Sequence, residues 1–125
     1  MKIVKTLMTL GLLILTPVIF AQDLPDMYQP MFNEIIGNFK TIRGSNSITS
    51  GKNTLSVINE NRIAVRIDHK KSVKNLTFIT ESDEENNLIW VAANELTIDM
   101  VNKYEDDLTE ILKSLFELSQ KKSKE

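Results

Sequence analysis

An apolar stripe in the C-terminal third of the chain constrains the fold more than any other stretch. Six apolar residues recur there at alternating steps of three and four, which places them on one side of an α-helix. They are Val101, Tyr104, Leu108, Ile111, Leu115 and Leu118. Leu112 and Phe116 widen the stripe, as is typical of a helix that packs on a core. No Gly or Pro interrupts the run, so the sequence predicts one continuous helix over Asp99–Gln120.

A second apolar repeat, with steps of four residues, follows the first prolines of the chain. Its members are Met27, Met31, Ile35 and Phe39. Asp26 is a residue type that caps helix N-termini, and Pro30 is tolerated in a first turn because its missing N–H has no partner there. The repeat predicts a helix over Met27–Thr41, capped by Asp26.

Between these two helices, short alternating patterns predict β-strands. The clearest is Arg62–Asp68, where every second residue is apolar, as in a strand with one buried and one wet face. Further strands are expected at Thr54–Ile58, Val73–Thr80 and Leu88–Ala93, with a brief one at Ser47–Thr49. Their short connections permit only antiparallel neighbours. The sequence therefore predicts a two-layer α+β fold, in which both helices cover an antiparallel meander of four to five strands.

The N-terminus has the pattern of an export signal. Lys2 and Lys5 precede a run of 14 mostly apolar residues, Leu7–Phe20, and the small residue Ala21 follows. This order predicts a signal peptide over residues 1–21, cleaved between Ala21 and Gln22, and a single domain over 22–125 with a short basic tail. The alternative is an uncleaved anchor, but a bilayer-spanning helix needs ~17–25 apolar residues. We expect a periplasmic or secreted bacterial protein with no stable membrane insertion after cleavage.

Composition excludes several function classes. The chain has 15 basic and 17 acidic residues and no cysteine. Loss of the two signal lysines leaves 13 basic residues against 17 acidic ones, which argues against a nucleic-acid binder. Without cysteine there is no thiol nucleophile and no thiolate metal site. A zinc site would need mainly carboxylates, which is unusual, so no metal or cofactor is predicted.

The single histidine, His69, is the strongest candidate for a catalytic base. Its neighbour Asp68 does not orient it, because adjacent residues of a strand point to opposite faces. Lys70 and Lys71 follow it, so a solvated turn is favoured over a catalytic role. No serine lies in a Gly-x-Ser-x-Gly elbow. We predict no catalytic residue and no enzyme activity.

The last strand instead suggests an interaction surface. Leu88–Ala93 is apolar on both faces, and the helices are expected to cover the face of Trp90. The opposite face, with Ile89 and Val91, would then lie open to solvent, as interaction sites often do.

Arg62 and Arg66 share one face of their strand and are expected to form the polar rim of that surface. The primary hypothesis is a non-enzymatic binding or protein-interaction module, whose partner is another protein or a second copy of the chain. The alternative is a small periplasmic enzyme, or an anionic-ligand binder using Arg62 and Arg66. A purely structural interpretation pairs both arginines with neighbouring acids.

Overall fold

Helices lie at both ends of the described chain, and the strands lie between them. The computed structural model describes residues 24–125, so the predicted signal peptide and its cleavage site lie outside the described residues. The elements are α1 (Tyr28–Phe39), β1 (Ser47–Ser50), β2 (Asn53–Asn59), β3 (Arg62–His69), β4 (Ser72–Ser82), β5 (Leu88–Ala92), α2 (Glu95–Lys103) and α3 (Glu105–Ser123). None of these three helices is long and apolar enough to cross a membrane.

The five strands form one antiparallel sheet in the order β1-β2-β3-β4-β5. Val65 of β3 stands opposite Leu55 of β2 and Leu76 of β4, and all three side chains are buried. Directly opposed residues share a face of the sheet, so this register aligns the apolar alternation of neighbouring strands. The predicted α+β fold with an antiparallel meander is confirmed, and the brief strand near Ser47 is its first member.

The core lies between one face of the sheet and the helices. It contains a cluster of aromatic side chains. The ring centroid of Phe32 on α1 lies 4.8 Å from that of Phe78 and 5.4 Å from that of Trp90. From the other end of the chain, Leu108, Leu112 and Leu115 of α3 are buried in the same cluster. Burial of this apolar surface is the main favourable term in the stability of the fold.

The predicted continuous helix over Asp99–Gln120 is wrong in one respect, because the helical segment breaks at Tyr104. That residue has φ −132° and ψ 41°, which is not helical, and it separates α2 from α3. Val101 before the break and Leu108 after it are both buried in the core. The stripe identified the buried side of each helix, but the two helices cover different parts of the sheet. Helix α2 contacts β4 and β5, whereas α3 contacts α1, β1 and β2.

Two helix side chains complete hydrogen bonds along the β4–β5 edge. The Gln29 amide donates to the Trp90 carbonyl at 2.8 Å and accepts from the Trp90 N–H at 2.7 Å. The Thr97 hydroxyl accepts from the Thr77 N–H at 3.0 Å, beyond the end of β5. An unpaired strand edge attracts further strands, so these contacts both orient the helices and protect the edge.

The start of α1 differs from the expectation. Its N-cap position is held by Met27, with no side-chain hydrogen bond, and not by Asp26. The N–H groups of Tyr28 and Gln29 instead donate to the carbonyls of Pro25 and Asp26. The carbonyls of a tight backbone turn therefore accept the hydrogen bonds that a capping carboxylate would otherwise accept.

Candidate functional site

The face of the sheet turned away from the core carries mostly polar side chains on its central strands. Two cross-strand rows define it. Arg66 stands between Thr54 and Asn75, and Ala64 stands between Ser56 and Thr77. We call the side that carries these two rows the outer face. Because successive side chains of a strand point to opposite faces, the outer-face residues alternate along each strand with the buried residues.

A depression of about 260 Å3 opens at the centre of the outer face. Ala64 has the shortest side chain of the two rows, so the surface is lowest there. The lining comprises Thr54, Ser56, Ala64, Val65, Arg66, Asn75, Leu76 and Thr77. We call this feature the Ala64 depression. Its polar groups come from three different strands, and the strand register brings them together.

The positive charge of Arg66 has no acidic partner among residues 24–125. The contact within ion-pairing distance found in this part of the chain joins His69 Nε2 and Asp107 Oδ2, and neither Arg62 nor Arg66 takes part in such a contact. Both arginines are exposed. The structural interpretation in which they pair with neighbouring acids is therefore wrong for the described residues. No carboxylate lines the Ala64 depression, so its local charge is positive.

Arg62 lies on the outer face but outside the depression. It stands opposite Ile79, and Ala64 separates it from Arg66 along β3. The Cα atoms of the two arginines are about 13 Å apart, from the rise of a strand. Only Arg66 lines the depression, and Arg62 adds a second positive charge beside it.

The two apolar residues predicted for the interaction surface differ in exposure. Val91 stands opposite Ile79, which places it on the outer face near Arg62, and Ile89 lies on the same side of β5. Ile89 is half-buried, but Val91 is only 1% exposed. The expectation that Val91 lies open to solvent is therefore wrong. Its in-register neighbour Ile79 lies beside it, within the ~4.5–5.5 Å that separates opposed side chains. On β3 and β4 the exposed residues of this face are Arg62, Arg66, Asn75 and the apolar Val73.

A second polar cluster, which the sequence did not predict, surrounds His69. The imidazole Nε2 lies 2.9 Å from Asp107 Oδ2, and the ring centroid lies 4.5 Å from that of Tyr104. His69 is only 13% exposed, so its predicted role as a solvated turn residue is wrong. Asp107 is 38 positions away, and no local sequence signal links the two.

His69 borders a depression of about 360 Å3 that also includes Ser50 and Ser114. A carboxylate that holds one imidazole nitrogen is the arrangement that orients a general base. The hydrogen bonds of the described residues join His69 to Asp107 and to neither serine. The contact therefore joins the β3–β4 hairpin to the first turn of α3.

The hairpin turn that follows His69 is strained. Lys70 and Lys71 have φ values of 51° and 65°, which two-residue hairpin turns of this type require at both central positions. Glycine is favoured at such positions because it has no Cβ to clash with the backbone, and Asn because its short polar side chain can form local hydrogen bonds. Lys70 is held with its Nζ 4.9 Å from the centre of the Tyr104 ring, so a cation–π contact offsets part of the strain.

Fold and site together define a class: a small two-layer α+β domain with helices on one face of a meander and a polar, positively charged depression on the other. Comparison with known proteins adds no family to this description, because no family model, curated protein or solved structure matches the chain.

Proposed function

We propose that this chain is a small exported binding or protein-interaction module without catalytic activity. The outer face of its sheet would be the binding surface, and the bacterial periplasm or the cell exterior its location. The location rests on the export signal pattern over residues 1–21. The observation that carries the function is the Ala64 depression, where the Arg66 side chain lacks an acidic partner among the described residues.

The charge distribution supports this choice of surface. The chain from residue 22 onward has an excess of acidic residues, yet Arg62 and Arg66 are exposed on the same side of β3 with no ion pair in the described region. A local positive patch on a negative protein attracts anionic groups of a partner and excludes cationic ones. The helices, by contrast, use their apolar sides to cover the opposite face of the sheet.

The anionic-ligand alternative uses the same patch and differs only in the size of the occupant. An enzymatic alternative would draw on His69, at the hairpin end of β3, and on Asp107, in the first turn of α3. We favour binding because the outer face presents unpaired donors, whereas the hydrogen bonds of the described residues join His69 to Asp107 and to no serine that could act as a nucleophile.

Native mass spectrometry of the protein purified from the bacterial envelope tests the proposal. The wild type is compared with the double variant Arg62→Glu/Arg66→Glu and with Lys113→Glu, a charge reversal at an exposed position of α3. We expect the wild type and Lys113→Glu to carry the same bound protein or ligand, and the double variant to lose it. If all three are recovered bare, or if the double variant keeps the same species, the outer face is not the binding surface.

A further inference from the structure

We infer that the Ala64 depression binds an oxyanionic group of a small molecule: a phosphate, sulfate or carboxylate. This inference rests on the proposed function, since it assigns a chemical class of ligand to the same face. It depends on the donor groups that line the depression, on its size and on the short side chain at its centre.

The donors are of the kinds that bind oxyanions. Arg66 presents up to five N–H groups in a planar fork that matches two oxygens of a carboxylate or phosphate. Asn75 adds an amide, and Ser56 and Thr77 add hydroxyls. None of these four side chains takes part in a hydrogen bond with another described residue, whereas the Thr54 hydroxyl is paired with that of Thr49 at 2.9 Å. Free donors in a depression whose lining includes no carboxylate favour an anion over a cation or a neutral ligand.

The register brings these donors around one point. Thr77 and Ser56 flank Ala64 on either side, and Arg66 follows two residues along the strand with Asn75 opposite it. Cross-strand neighbours lie about 4.5–5.5 Å apart, so a group above Ala64 is within reach of side chains from β2, β3 and β4. The cavity, about 260 Å3, is smaller than the ~300–1,000 Å3 of sites for drug-sized ligands. A small ligand, or a small anionic group of a larger one, fits this volume.

Ala64 itself leaves the space for the anion. It is half-buried on the outer face, away from the core, so a longer side chain would extend into the depression and not into the packed interior. Ala64→Ile fills the space and also favours a strand, because β-branched residues suit this conformation. The variant therefore blocks the site while preserving the fold.

Amide-resolved NMR titration of the protein purified from the envelope tests the inference. The probes are sodium phosphate, sodium sulfate and sodium acetate, each added at constant ionic strength against sodium chloride. We expect saturable shifts at the amides of Ala64, Arg66 and Thr77. Phosphate and sulfate alone would identify a tetrahedral oxyanion, and acetate alone a carboxylate. Arg66→Gln removes a charge-assisted hydrogen bond to the anion and should therefore weaken binding at least about tenfold.

The matched control is Arg43→Gln, which removes one exposed arginine outside the outer face and should bind as the wild type does. Ala64→Ile should abolish the saturable shifts with an otherwise unchanged spectrum. The inference is overturned if no probe gives saturable shifts, or if Arg66→Gln and Ala64→Ile bind as the wild type does. If the probes fail while Arg62→Glu/Arg66→Glu still loses its partner from the envelope, the oxyanion inference is wrong and the proposed function stands. Failure of both experiments removes both.

Discussion

The imidazole of His69 lies 2.9 Å from the carboxylate of Asp107 and joins the end of β3 to the first turn of α3. The two residues are 38 positions apart. Tyr104, the residue at which the C-terminal helical segment breaks, packs its ring against that of His69. This corner thus combines the helix break, the strained hairpin turn and the His69–Asp107 hydrogen bond in one small region.

A double-mutant cycle measures the His69–Asp107 contact. We expect a coupling energy of about 0.2–1 kcal/mol between His69→Ala and Asp107→Ala, because Asp107 is 56% exposed and water screens pairs of this kind. Urea denaturation of the four proteins gives the value. Glu110 is an exposed residue of α3 that lines the depression beside His69. In a second cycle, the effects of His69→Ala and Glu110→Ala should be additive. Equal coupling energies in both cycles would mean that the His69–Asp107 contact makes no specific contribution to stability.

Truncation of the buried stripe of α3 should be costly. Leu108→Ala and Leu115→Ala each remove a side chain that is at most 1% exposed, and such changes cost ~2–5 kcal/mol of the free energy of unfolding. Glu105→Ala, at an exposed position of the first turn, should cost about 0.5 kcal/mol, mainly through a weaker interaction with the helix dipole. Chemical denaturation compares the three. Equally mild effects would show that α3 does not cover the core.

Tyr28 should make stability depend on pH in the alkaline range. Burial raises its pKa above the ordinary value of 10.0, Glu105 adds to the rise, and the hydrogen bond with Thr109 partly opposes it. The unfolded chain therefore loses this proton at a lower pH than the folded one. The stability that Tyr28 contributes is fully present below its pKa in the unfolded chain. It is lost as the pH rises through its pKa in the folded protein.

Denaturation midpoints between pH 8 and pH 11 test this, with Tyr28→Phe as the control. The wild type should lose stability more steeply above about pH 10. Tyr28→Phe should be less stable at pH 8, because it lacks the hydrogen bond with Thr109, and flatter at high pH. Parallel curves for the two proteins would contradict the assignment.

Relief of strain in the β3–β4 turn should stabilise the protein. A left-handed conformation costs a residue with a Cβ ~1–2 kcal/mol. Substitution by glycine removes this cost, but the greater conformational entropy of glycine in the unfolded chain offsets part of the gain in stability. Lys71→Gly should therefore raise the free energy of unfolding by about 0.5 kcal/mol. Lys70→Gly relieves similar strain but removes the cation–π interaction with Tyr104, so we expect a smaller gain. Thermal unfolding distinguishes them, and a larger gain for Lys70→Gly would refute the role of that interaction.

The sequence predicted which face of the sheet carries the two arginines of the site, but not which residues of the neighbouring strands surround them. Alternation along Arg62–Asp68 correctly predicted that Arg62 and Arg66 share the wet side of one strand. It did not reveal that Ala64 stands between Ser56 and Thr77, because cross-strand neighbours depend on the register of three strands. The depression is a property of that register. The burial of Val91 was missed for a related reason, since the exposure of a side chain depends on what lies beside it.

The sequence by itself determined the helical and strand periods, the antiparallel meander and the core-facing side of each predicted element, because these follow from apolar spacing and short connections over a few residues. Tertiary structure decided the rest. The break at Tyr104 arises where α2 follows β4 and β5 while α3 covers α1, β1 and β2. The pairing of His69 with Asp107 arises because that packing brings a hairpin to the start of α3. Local spacing carries no information about such contacts, since their energy depends on residues that meet only once the whole chain is folded.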